Sequence, residues 1–178
     1  MTLKHCKLFL AAVAFLFCDS MAAAAPEYEV KAAFIYNFSR FIDWPEEPEA
    51  KKDLYFCVLG RDPFGEALEN LEGREVQGRT LTIRRLERIE ERGDCAIIYI
   101  SPSLSGDYVA LLDILSRDRG VLSISDIDGF AENGGVIELY LENNKVRFAI
   151  NIEAARRTGL EMSSQLLRLA RIIEGDGS

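Results

Sequence analysis

Five side chains in the 178-residue sequence have the reactivity expected of metal, redox or nucleophilic chemistry: His5, Cys6, Cys18, Cys57 and Cys95. Three of them fall before residue 25, in a segment that reads as an export signal. Lys4 and Lys7 open it, Leu8 to Phe17 form its apolar run, and Met21-Ala22-Ala23-Ala24-Ala25 supplies the small residues that signal peptidase accepts. The run of about ten apolar residues is too short to span a bilayer, which takes roughly 20. Bulky Phe17 stands where a lipoprotein signal places a small residue, which argues against a lipid anchor at Cys18. Cleavage is expected after Ala24, giving residues 1–24 as signal peptide and 25–178 as one domain.

The exported chain then contains no histidine and only Cys57 and Cys95. Without histidine, Ser-His-Asp and Cys-His catalysis fall away, and zinc and copper sites lose their usual ligands. Two cysteines in an oxidising compartment point to one disulfide, whereas two buried free thiols in separate strands are the alternative. A bond would close a loop of about 39 residues, worth about 4 kcal/mol in the chain-entropy model.

Two other segments imitate binding motifs. Gly60-Arg61-Asp62-Pro63-Phe64-Gly65-Glu66 follows a predicted strand as a phosphate loop would, but Glu66 stands where lysine is needed and Asp62 adds a second negative charge. Asp126-Ile127-Asp128-Gly129 resembles part of a calcium loop, yet in that register the first and twelfth positions are Ile124 and Gly135, which offer no carboxylate. No metal or cofactor is expected. Loss of the signal removes two cations and one acid, taking the formal charge from −8 to −9, so nucleic acid is not an expected partner. A hydrolase built on a carboxylate pair is the enzymatic alternative, although no spacing singles out a pair.

The surrounding pattern predicts the elements that would position these groups. Val30, Phe34, Ile35, Phe38, Phe41 and Ile42 recur at helical spacing from Glu27 to Ile42, ahead of Trp44-Pro45. Strands are predicted at Leu54–Leu59, Arg79–Arg84, Cys95–Ile100 and Val121–Ser125, with a short helix opening at Asp62-Pro63 and another through Tyr108, Leu111, Leu112 and Leu115. Val136–Leu141 and Val146–Ile150 flank Asn143-Asn144 as a hairpin. A closing helix is expected through Met162, Leu166, Leu169, Ala170 and Ile173. Strands alternating with helices give an α/β class: a single Rossmann-like domain, its central sheet largely parallel with helices on both faces, ending in a hairpin and a helix.

That architecture places Gly60, Arg61, Ser101, Ser125 and Asp126 at the carboxyl ends of strands, where a small ligand would bind. The closing helix would turn Leu167 and Ile172 toward an edge flanked by Arg168 and Arg171, a composition suited to a partner protein or a second copy of the chain. The aromatic first helix, with Phe34, Phe38, Phe41 and Trp44, is the next candidate surface.

Several segments taken together resemble the YfiR family of exported bacterial proteins. They are Lys31-Ala32-Ala33-Phe34-Ile35-Tyr36-Asn37-Phe38 through Trp44-Pro45, Phe56-Cys57-Val58-Leu59-Gly60, Leu122-Ser123-Ile124-Ser125-Asp126, Gly134-Gly135, Val146-Arg147-Phe148-Ala149-Ile150-Asn151 and Gly159-Leu160 with Ser163 to Ala170. The resemblance implies a non-enzymatic periplasmic repressor that binds the sensing domain of a membrane diguanylate cyclase. It also implies release by an outer-membrane lipoprotein, a tendency to dimerise, and biofilm control through cyclic di-GMP. Cys57 and Cys95 match one family disulfide, and no cysteine follows Cys95 to form a second. A periplasmic module that binds a small ligand and signals to a sensor kinase or cyclase is the alternative function.

Overall fold

The computed structural model describes residues 24–45 and 51–174, so the expected signal peptide lies outside the described residues apart from Ala24. In chain order the elements are α1 (Ala24–Arg40), β1 (Ile42–Asp43), β2 (Asp53–Leu59), α2 (Glu66–Glu69), β3 (Glu75–Val76), β4 (Arg79–Leu86), β5 (Cys95–Ile100), α3 (Tyr108–Leu115), β6 (Leu122–Ser125), β7 (Ile137–Glu142), β8 (Lys145–Asn151), α4 (Ile152–Arg157), β9 (Glu161–Met162), α5 (Ser164–Leu167) and β10 (Arg171–Ile173). Single 3-10 turns at Ile89–Arg92 and Pro102–Leu104 bracket β5.

Eight strands form one mixed sheet in the order β10-β8-β7-β6-β5-β2-β4-β3. Its centre is parallel from β4 through β7, while β3–β4 and the β7–β8 hairpin are antiparallel and β10 runs parallel to β8. The class is α/β as expected, but the antiparallel pairs at both sides make the Rossmann-like description hold only in part. After β2 the chain moves out to β4 and then returns past β2 to β5, so the connection reverses between β2 and β5.

Side chains alternate between two cores, as a sheet buried on both faces requires. Leu54, Phe56, Val58, Ile97, Tyr99, Leu122, Ile124, Ile137, Leu139, Phe148 and Ile150 face α1, α2 and α4. Cys57, Leu59, Ile98 and Ile100 face α3 and the turn carrying Ile127 and Phe130. A register shift between β2 and β5, at Ala96, brings Cys95 onto the same face as Cys57. The two are joined as a disulfide with Cα atoms 6.0 Å apart, and the bridge is buried among aliphatic side chains.

Asn143 and Asn144 both take positive φ, +50° and +58°, which two-residue hairpins of the primed type demand. The first predicted helix is present but stops at Arg40, where the Gln77 amide donates to the Arg40 and Ile42 carbonyls and β1 begins. The helix expected at Asp62-Pro63 does not start there. Asp62 accepts a hydrogen bond from the Phe64 amide at 2.7 Å, closing a local turn, and only Glu66–Glu69 is helical.

The closing helix is the main correction. The Ser163 hydroxyl caps a single turn, accepting from the Leu166 amide at 3.2 Å, and the chain then leaves as β10 to pair with Ala149–Asn151. Leu169-Ala170-Arg171-Ile172-Ile173 carries helical spacing, but β-branched Ile172 and Ile173 at an open sheet edge gain more from pairing than from helix. The segment before it holds an unforeseen helix, α4, capped by Asn151 through the Ala154 amide at 2.8 Å.

The buried bridge should act as a structural staple. Replacing Cys95 with serine is expected to lower unfolding free energy by about 2–5 kcal/mol, measured by denaturant titration of the oxidised exported form. A change near zero contradicts this.

Candidate functional site

The residues expected to bind a ligand do meet at the carboxyl ends of the strands. Gly60 takes φ +89°, and a Cβ there would stand 2.8 Å from Ser103 Oγ, so only glycine fits this approach. The Arg61 amide donates to Ser103 Oγ at 3.0 Å, and Ser103 in turn donates to buried Ser101 Oγ through both its amide and its hydroxyl. Ser125 Oγ donates to the Ile100 carbonyl at 2.7 Å and accepts from the Ile127 amide at 3.1 Å. These groups spend their hydrogen bonds on joining the loops after β2, β5 and β6 to one another.

Asp126 lies at the end of β6 and is almost fully buried. Lys31 Nζ approaches Asp126 Oδ2 at 2.5 Å and also pairs with Glu27, one helical turn earlier in α1. Tyr28 donates to the same carboxylate at 2.9 Å, and Tyr99 of β5 donates to its other oxygen. Phe64 packs edge-on between the two phenols, with ring centroids 5.4 Å from Tyr28 and 4.7 Å from Tyr99. A buried charge is tolerated when paired and fully hydrogen-bonded, and both conditions hold here. Asp126 is thereby committed to α1. Among the described residues no group of three His, Cys, Asp or Glu side chains is placed to hold a metal ion.

The residues expected at a partner edge are separated by the loss of the closing helix. Leu167 is half-buried against the core, and Arg168 is exposed with its guanidinium on Ser164. Arg171 sits in β10, pairing with Glu132 at 3.0 Å and Glu138 at 3.9 Å and lying over the Tyr140 ring. Burial and the neighbouring Glu132 carboxylate raise the Glu138 carboxyl above its usual range, while Glu132 is lowered by a backbone hydrogen bond and Arg171. Ile172 remains partly exposed on the same strand.

A larger apolar surface runs along the outer flank of α1. Ala32, Ile35 and Phe38 point into the core, yet Val30, Ala33, Phe34 and Phe41 continue the apolar stripe round to the other side. Three adjoining depressions follow this flank. One of about 620 Å³ lies between Glu27, Val30 and the hairpin residues Leu141 to Arg147. The next shares Val30 and is lined by Ala33, Phe34 and Asn37. The third, about 300 Å³, shares Phe34 and Asn37 and is walled by Phe38, Phe41, Phe148, Leu166 and Leu169. Leu169 is 76% exposed, Leu141 52%, Val30 43% and Phe41 38%, and these are four of the six large apolar side chains that face solvent among the described residues. An apolar band of this continuity exceeds the singly scattered apolar side chains of an ordinary protein surface. The sequence pointed to the aromatic helix only as the second choice; the signal was the width of its apolar stripe.

The profile of the YfiR/HmsC-like family matches residues 28–171, from Tyr28 to Arg171. No curated protein matches the chain. Among the described residues no helix is long and apolar enough to cross a membrane.

Tyr28 and Tyr99 give the site a pH signature. Burial first, then the Asp126 carboxylate and the hydrogen bonds to it, push both phenols well above the usual tyrosine value. The folded state therefore keeps these protons longer than the unfolded chain does. Stability from this source is intact below roughly pH 10 and is lost as pH rises beyond it. Phenolate absorbance is expected to show a late alkaline step coincident with loss of near-ultraviolet circular dichroism, and Tyr99→Phe should diminish that step. Absence of a late step contradicts the buried network.

Proposed function

The chain belongs to the YfiR/HmsC-like family, whose members act as regulators in the periplasm, and from that premise we propose that it holds a membrane signalling protein in check by binding its periplasmic sensing domain. The enzyme under control is a diguanylate cyclase, so the output is cyclic di-GMP and biofilm formation. Residues 1–24 direct export and residues 25–178 are the working domain. An outer-membrane lipoprotein that competes for the same surface would release the brake, and a second copy of the chain would compete in the same way.

The observation that carries this reading is the apolar band along α1, continuous with the C-terminal segment through Leu166 and Leu169. Of the expected partner residues, Leu167 packs beside Leu166 at the end of this band, whereas Arg171 turns to the opposite face of the sheet, onto Glu132, Glu138 and Tyr140. Binding is regulation only if it discriminates between states. To move a cyclase from mostly active to mostly inactive, the chain must bind the inactive form about 10⁴-fold more tightly, about 5.5 kcal/mol. An interface with a few large apolar anchors supplies that difference if the active form hides or separates their pockets. The small-ligand alternative draws less support, because the Arg61 amide and the Ser101, Ser125 and Asp126 side chains are hydrogen-bonded within the fold, which leaves the exposed Arg61 side chain as the group that could meet a ligand.

Deleting the gene in its host should raise cellular cyclic di-GMP, and the wild-type chain should restore it. Leu169→Glu should be exported and folded but fail to restore the low level, since the position is on the surface. Unchanged cyclic di-GMP on deletion contradicts the proposal.

A further inference from the structure

We propose that a polar basin at the amino ends of β5 and β6 binds a small dianion, a phosphate monoester or a dicarboxylate. It lies at the end of the strands opposite Gly60, Ser101 and Ser125, and is separate from the apolar flank of α1. The basin has a volume of about 320 Å³ and is walled by Lys51, Arg92, Asp94, Arg117, Asp118 and Arg119. Four cations therefore face two carboxylates, within an exported chain whose net charge is −9. A local excess of positive charge on a strongly acidic chain concentrates anions at that place.

The pairing inside the basin shows which charge is left over. Both oxygens of Asp118 accept from Arg92, at 2.6 and 3.2 Å. Asp94 accepts from Arg84, outside the basin, at 2.9 Å, and Arg117 reaches outward to Asp113 at 2.6 Å in an exposed pair one helical turn apart. Including Arg84 and Asp113 leaves the excess of two positive charges unchanged. Each carboxylate of the basin is thus already held by an arginine, and Arg119 makes no hydrogen bond or ion pair among the described residues. Its guanidinium rests against Gly159, where a Cβ would stand 3.4 Å from one terminal nitrogen, so it is seated on backbone and left without a counter-charge. A second unspent donor occupies the same corner. The buried Trp44 indole N–H has no acceptor among the described residues, and Trp44 Cδ1 lies 3.8 Å from the Cβ position of Gly120, which lines the basin. Guanidinium groups match the oxygens of phosphate and carboxylate with paired donors, and two excess charges match a dianion. The volume admits roughly ten water-sized groups, the size of a small metabolite rather than of a lone inorganic ion.

Calorimetric titration of the oxidised 25–178 chain with succinate and with glycerol 3-phosphate, each against acetate at matched ionic strength, tests this. At least one dianion is expected to bind saturably and at least about ten-fold more tightly than acetate, with the affinity falling as salt is added. The tighter of the two tells a dicarboxylate ligand from a phosphate monoester. Arg119→Gln should weaken that binding at least about ten-fold, the loss of one charge-assisted contact, and leave Tm unchanged because the side chain is exposed. Arg61→Gln, exposed at the opposite ends of the strands, should bind as the wild type does. Acetate binding as tightly as both dianions would overturn the divalent ligand, and absence of saturable binding would overturn the site. Full affinity in Arg119→Gln would overturn its placement. Should that variant prove unstable, Arg117→Gln, at another exposed position of the basin, carries the same expectation and the same refutation.

Discussion

A single buried carboxylate decides where the first helix can lie. Asp126 emerges from the end of β6 into the space where the sheet connections reverse, and out of contact with water it must be neutralised. Lys31 does this from α1, Tyr28 of the same helix and Tyr99 of β5 complete its hydrogen bonds, and Glu27 balances the far side of the ammonium. Deleting one member of such a cluster leaves an uncompensated buried charge, at about 3–5 kcal/mol. The first two turns of α1 are thereby pinned to residues almost a hundred positions away in sequence, and the rest of the helix follows the sheet from that anchor.

Once α1 is fixed at its amino end, one side of it must meet the sheet, through Ala32, Ile35 and Phe38. Its apolar stripe is wider than that contact needs, so Val30, Ala33, Phe34 and Phe41 are left facing a trough between the helix, the hairpin and the C-terminal segment. The same interaction presents the apolar flank. The buried disulfide, on the opposite face of the sheet, holds β2 to β5 without reaching either feature.

Much of this was legible in the sequence, for reasons that differ by element. Strands such as Cys95–Ile100 and Leu54–Leu59 are short apolar runs between turns, and the positive-φ asparagines mark the hairpin without ambiguity. The closing helix was misread because Met162, Leu166, Leu169 and Ile173 satisfy a helical period while an open edge of β8 offers Arg171–Ile173 strand pairing that no local pattern reveals. Helix α4, at six residues, is too short for periodicity to register, and only the Asn151 cap signals it. Asp126 was placed correctly at a strand end, but its partners Lys31 and Tyr28 come from a helix whose docking depends on topology. The excess of apolar residues in that helix was visible, and the groove it lines was not, because Leu141, Phe148 and Leu169 arrive from three separate segments.

The central claim is that the Asp126 network seats α1 and so presents its outer flank. Amide hydrogen exchange on Asp126→Ala, compared with the wild-type chain, tests it most directly. The account predicts that protection falls along the first two turns of α1, around Glu27 to Phe34, while β5 and β6 stay as slow as in the wild type. Undiminished protection of those turns in the variant would contradict it.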